Sequence, residues 1–137
     1  MITEKLRRYE AERYLSAAYT DMYKAGIMMD NEEVLCVASQ YEQKFYLNEM
    51  FNNIPQSVKD ELKIMCVLFV EEVGGIIKLY FDEEDGRLLI ETEHDEGDFM
   101  YDDIGAALKV KKLQNEKAEL FESLEMFYKV FSGKFEE

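Results

Sequence analysis

His94 is the only histidine of the 137-residue chain, and it sits among Glu91, Glu93, Asp95, Glu96 and Asp98. An imidazole beside several carboxylates is a donor set for a divalent ion such as Mn, Fe or Zn. Asp102 or Asp103 would complete it. Against that, neighbouring strand positions point to opposite faces. Solvated acids ahead of a helix N-terminus, where negative charge is favourable, account for the same pattern. Cys36 and Cys66 both lie in apolar runs, which predicts buried, inert thiols rather than a nucleophile. Asp82 to Gly86 has the acids and glycine of half a calcium loop. With Gly86 at loop position six, however, Phe81 and Thr92 fall at positions one and twelve, where oxygen ligands are required. The segment therefore reads as a turn. No GxSxG, P-loop, GxGxxG, HExxH or CxxC pattern occurs. No catalytic residue, metal centre or cofactor is assigned, and a non-enzymatic protein is expected.

Charge supplies the next constraint. Thirty Asp and Glu oppose sixteen Lys and Arg, a net charge of −14. Thirteen of the acids lie between Glu71 and Asp103, where only Lys78 and Arg87 oppose them, so that third of the chain carries −11. Such a region repels nucleic acid and anionic membrane and attracts basic partners, although acids on exposed turns also serve solubility alone. Lys109-Val110-Lys111-Lys112 is an isolated basic spot with no interleaved aromatic residues, so nucleic-acid binding is not expected. The longest apolar run, Ile64 to Val70, falls well short of the ~20 residues of a membrane span. Met1 to Lys5 lacks the apolar core of a secretory leader, and two cysteines make no disulfide scaffold. A cytoplasmic protein with a single domain over residues 1–137 is the expectation.

The elements that would position these groups follow from periodicity. Residues 3–25 predict a helix whose stripe is Ala11, Tyr14, Leu15, Ala18, Tyr19, Met22 and Ala25. Ile2, Leu6 and Tyr9 point to the other side, so this helix crosses two elements or reaches a second chain. Glu33 to Tyr41 reads as a strand buried on both faces at its start, with Gln43 to Leu47 as its hairpin partner. Pro55 opens a helix in which Val58, Leu62, Met65, Cys66, Phe69 and Val73 share a face, ended by Gly74-Gly75. A strand over Ile64 to Val70 competes with it, since all seven residues are apolar; the periodicity favours the helix. Ile76 to Phe81 and Leu88 to Thr92 form a hairpin about Asp82–Gly86.

Asp98 is a candidate N-cap for a C-terminal helical region that first buries Tyr101, Ile104 and Leu108. Its second half uses Leu113, Leu120, Phe121, Leu124, Phe127, Tyr128 and Phe131, around the other side of the axis. This requires a bend near Lys109 to Lys112 or a dimer that covers the second set. Val110, Leu113, Lys117, Leu120, Leu124, Phe127 and Phe131 also trace a heptad seam broken at Lys117. Two readings stay open, a stripe packed on the sheet and a stripe that self-associates. Leu120, Leu124, Phe127 and Phe131 are the candidate interface, joined by Tyr9 of the tyrosine-rich first helix, since tyrosine suits contacts that stay wet at one end. The sum is an α+β fold in the order α-β-β-α-β-β-α, an antiparallel sheet of about four strands with helices on one face.

Four stretches, Ser39-Gln40-Tyr41-Glu42-Gln43-Lys44, Val73-Gly74-Gly75-Ile76, Phe81-Asp82-Glu83 and Leu124-Glu125-Met126-Phe127-Tyr128, carry a resemblance. In them the run from Val34 to Phe131 is similar to small acidic bacterial proteins with no assigned function. That resemblance implies a shared domain and carries over no functional residues. In architecture alone, the small acidic α+β plan also resembles dimeric type III secretion chaperones and roadblock-like adaptor domains, an analogy no motif supports. The expected function is a cytoplasmic interaction module, adaptor- or chaperone-like, that binds itself as a homodimer or binds a basic protein. The alternative is a small-ligand or divalent-metal-binding domain centred on His94.

Overall fold

A computed structural model of the chain describes residues 32–133. The helix expected over residues 3–25, and Tyr9 with it, lies outside the described residues. Four strands, β1 (Glu32–Ser39), β2 (Lys44–Leu47), β3 (Ile76–Asp82) and β4 (Leu88–Glu93), form one antiparallel sheet in the order β2-β1-β3-β4. The β1–β2 hairpin turns at residues 40–43, with Gln43 at φ 52°. The β3–β4 hairpin closes as its turn chemistry predicts: Gly86 takes φ 73°, and its N–H donates to the Asp82 carbonyl at 2.8 Å. Asp82 and Asp85 spend carboxylate oxygens on the turn, accepting from the N–H groups of Glu84 at 2.8 Å and Arg87 at 3.0 Å. These acids hold a turn and no calcium loop.

The described residues form three α-helices: α1 (Gln56–Val73), α2 (Asp103–Glu116) and α3 (Ala118–Ser132). Residues 64–70 are therefore helical, which settles the competition with a strand. A helix buried on several sides produces an unbroken apolar run, and Leu62, Met65, Cys66, Val67, Phe69 and Val70 are all buried in α1. Gly74 ends it at φ 86°, its N–H donating to the Val70 carbonyl at 2.8 Å.

Two expectations for the C-terminal region are corrected. The N-cap is Asp102, whose side chain accepts from the Gly105 N–H at 3.0 Å, and not Asp98. The helical run breaks at Lys117 (φ −110°, ψ 22°) rather than between Lys109 and Lys112. The break falls at the one polar position of the seam, where the Lys117 ammonium reaches Glu61 of α1 at 3.1 Å. Redirecting the chain there sets Phe121, Leu124 and Tyr128 of α3 into the core while Val110 and Leu113 of α2 still pack against it.

α1 and α3 pack on one face of the sheet, over Leu35, Cys36, Ala38, Phe45, Ile77, Leu79, Phe81 and Leu88, and α2 packs on these two helices. Tyr128 stacks on Phe81 with ring centroids 4.3 Å apart and planes 2° from parallel, and Phe51 tilts against both rings. Glu125 of α3 accepts from the Leu88 N–H at 2.7 Å, fastening the helix to the start of β4. The other face of the sheet carries a separate cluster of Val34, Val37 and Tyr46, with Ile76 and Tyr80 partly buried beside it. An irregularity in β1 between Val34 and Cys36 lets both Leu35 and Cys36 reach the helical side.

Candidate interaction surface

The residues singled out around His94 come together at the end of β4, but as a clasp. His94 stacks on Tyr101 with centroids 4.5 Å apart, its Nδ1 lies 2.9 Å from the Asp95 carbonyl, and its Nε2 lies 3.3 Å from Asp103 Oδ1. The Asp95 carbonyl raises the His94 pKa above its ordinary value, and the charges of Asp103 and Asp98 add to the shift. Tyr41, in the β1–β2 turn, donates to Asp98 at 2.6 Å and accepts from the Asp95 N–H at 3.0 Å. Desolvation, together with the bond to Asp98, pushes the Tyr41 hydroxyl up to about 12. Tyr101 in turn lies over Gly75, where a Cβ would come within 2.8 Å of the ring and 2.5 Å of the Glu93 carbonyl. Both imidazole nitrogens are thus occupied by the chain itself. Among the described residues, no group of three or more His, Cys, Asp or Glu is placed to hold a metal ion.

This clasp fixes the base of a loop whose tip points outward. Phe99 is 92% exposed and Met100 93%, and on the adjoining outer side of α2 Ile104 is 76% and Leu108 63% exposed. The expectation that Ile104 and Leu108 are buried is corrected. Only Ala106 of α2 is fully buried, because the helix meets α1 and the core through Lys109, Val110 and Leu113 and leaves the Ile104–Leu108 side to solvent. Four large apolar side chains therefore stand within ten residues of one another. Between Arg87 and Lys109 the chain has seven carboxylates and no Lys or Arg. The signal was visible in the sequence as Phe99-Met100, an apolar pair between acids inside a loop. Helical periodicity masked it for Ile104 and Leu108.

The C-terminal stripe divides differently. Leu124 is 3% exposed and belongs to the core, Leu120 and Phe127 pack partly buried against that core, and Phe131 is 41% exposed over the rings of Phe51 and Phe127. Met126 and Val130, which the seam did not include, form the exposed side of α3. Between α1 and α2 runs a groove of about 760 Å³ floored by Ile64, Met65, Leu68, Phe69 and Leu113. Ion pairs of Lys109 with Glu72 and of Lys117 with Glu61 bridge it.

Cys36 and Cys66 face each other across the β1–α1 contact, Sγ to Sγ 3.8 Å, both buried and both free. Burial, and secondarily Cys66 itself, pushes the Cys36 thiol well above its ordinary value, so a thiolate is disfavoured there. Among the described residues no helix is long and apolar enough to cross a membrane. No curated protein and no solved structure matches the chain. A model for a family of unknown function, DUF6145, matches residues 32–136, from the first residue of β1 to beyond the end of α3, and the chain belongs to that family.

Proposed function

We propose that the protein is a non-enzymatic interaction module that binds a basic, apolar segment of another protein at Phe99, Met100, Ile104 and Leu108. The observation that carries this reading is the exposure of those four side chains inside the most acidic stretch of the chain. Large apolar side chains grouped on a soluble surface are characteristic of contact sites. The surrounding carboxylates select the partner: they attract Lys and Arg at the rim and speed encounter, while the apolar tips supply the buried centre. A second copy of this chain would bring acid against acid at this patch, which disfavours self-pairing there. The reading places the protein in a reducing cytoplasm, where Cys36 and Cys66 stay as thiols.

The test is capture from host extract by the wild-type protein and by the Phe99→Ser/Met100→Ser variant, at low and physiological salt. The proposal requires a stoichiometric basic partner whose retention falls at least tenfold in the variant and weakens with salt. Equal capture by both proteins, or none by either, overturns it.

Self-association is a second reading, carried by Met126 and Val130, which are 69% and 75% exposed next to Phe131 on α3. Sedimentation equilibrium of the wild type and of Met126→Asp/Val130→Asp decides it: a dimer lost in the variant supports the reading, and a wild-type monomer ends it.

A further inference from the structure

Helix α2 is held to the rest of the fold by charge more than by packing. α1 buries six side chains and α3 three, whereas Ala106 is the one buried residue among the fourteen of α2. Val110 and Leu113 add partly buried contacts to the core, and Ile104 and Leu108 face water. Ion pairs stand at the start, the middle and the end of the helix. Asp103 Oδ1 meets His94 Nε2 at 3.3 Å, Lys109 meets Glu72, and Lys117, at the junction with α3, meets Glu61 at 3.1 Å. The last two cross the groove of about 760 Å³, whose floor includes Ile64, Leu68 and Leu113. Charges therefore span a gap that interdigitated side chains would fill in a tightly packed helix pair.

We propose that α2 is a strap that detaches as a unit while α1, α3 and the sheet stay folded, and that its release uncovers the apolar floor of the groove. Exposed ion pairs each contribute little and weaken with salt, so a helix tied by them opens at low cost. The backbone supplies a joint at each end. The helical run is broken at Lys117 (φ −110°, ψ 22°), and Asp102 ahead of α2 is extended (φ −100°, ψ 97°). Release gives up one buried alanine and two partly buried side chains, and α2 adds no aromatic residue to the ring cluster of Phe51, Phe81 and Tyr128. Segments with few buried apolar contacts are the ones that open locally before the whole fold does. Once detached, a helix of this length is marginal in water, so its amides exchange with solvent in the released state. Release frees Val110 and Leu113 and bares Ile64, Leu68 and Phe69 of α1. Ile104 and Leu108 travel with the strap, but its opening requires no partner.

Hydrogen exchange of the full chain, read by mass spectrometry at about 0.05 M and about 1 M NaCl, tests this. At low salt the amides of α2 should be about tenfold less protected than those of α1 and α3, and high salt should widen that gap about threefold. Lys109→Glu sets like charges across the groove and should speed exchange of α2 alone about fivefold. Adding Glu72→Lys restores an opposite pair and should return the rate toward wild type. Equal protection of α2 and α3 at low salt would show that α2 opens only with the whole fold, and overturns the proposal. So does a double variant as fast as the single one, or an α2 rate indifferent to salt. Should Lys109→Glu speed α1 and α3 as well, showing a lost fold, Lys109→Gln replaces it. Faster exchange of α2 alone in that variant supports the proposal, and an unchanged rate overturns it.

Discussion

His94 Nε2 lies 3.3 Å from Oδ1 of Asp103, so one imidazole ties the end of β4 to the first turn of α2. Residues 95–102, which carry Phe99 and Met100, are spanned by this contact. Its other anchor is Tyr41, bonded to both Asp95 and Asp98. The exposed apolar tip thus stands on a base held by an imidazole, a phenol and three aspartates.

The charged form of His94 is the one the fold favours. Its folded pKa lies above the ordinary 6.5, first through the Asp95 carbonyl and then through Asp103 and Asp98. The contact's stabilisation is therefore complete below about pH 6.5 and is lost as pH rises through the raised value. NMR titration of the imidazole should give a midpoint above 6.5 that falls toward it in Asp103→Asn. Urea unfolding should show His94→Gln losing more relative to wild type near pH 5.5 than near pH 8.5.

Gly75→Ala should cost about 3 kcal/mol or more, since the left-handed backbone contributes about 1–2 kcal/mol and overpacking about 1–3 kcal/mol. The position has φ +69°, and a Cβ there meets the Glu93 carbonyl and the Tyr101 ring. Denaturant unfolding measures the loss. A parallel change in the Tyr101 and His94 resonances would show that the ring has been displaced from the clasp.

Leu124 and Phe99 should separate cleanly under substitution. Leu124→Ala empties a core position and should destabilise the fold by about 2–5 kcal/mol. Phe99→Ser changes a side chain that is 92% exposed and should leave stability within about 0.5 kcal/mol. Thermal melts of the two variants check this. A stable, monomeric Leu124→Ala protein would move Leu124 out of the core.

Alkali should unfold the protein through its tyrosines. Tyr41 and Tyr128 are both pushed up to about 12, each first by desolvation; Asp98 adds to Tyr41, and Glu33, Glu83 and Asp82 add to Tyr128. An unfolded tyrosine ionises near 10, so stability is full below that pH and falls as pH rises toward 12. Ultraviolet titration should show a late phase that disappears in Tyr41→Phe/Tyr128→Phe.

The strands, the central helix and the β3–β4 hairpin were legible because each is written in local terms. Period-two and period-3.6 patterns mark them, and Gly74 and Gly86 adopt the positive φ that their places in the sequence predict. The C-terminal helices were legible only in outline. Periodicity reports that Ile104 and Leu108 share a side with Tyr101, but it cannot say whether a neighbour stands on that side. Neither the clasp nor the ion pair across the α1–α2 groove was legible, because Tyr41 and Asp98 are 57 positions apart and Lys109 and Glu72 are 37 apart.

Sequence alone thus determined the α+β class, the position of the acidic third, the buried character of both thiols and the turn role of Asp82 and Asp85. Those properties depend on residue type and short spacing, which the chain carries with it into any fold. Tertiary structure decided which apolar residues meet water. The break at Lys117 turns α3 onto Phe81 and Phe51, so Leu124 and Tyr128 are spent on the core. Contact of α2 with α1 along one face leaves Ile104 and Leu108 outside with Phe99 and Met100. Burial is a relation between distant segments, and only their packing assigns it.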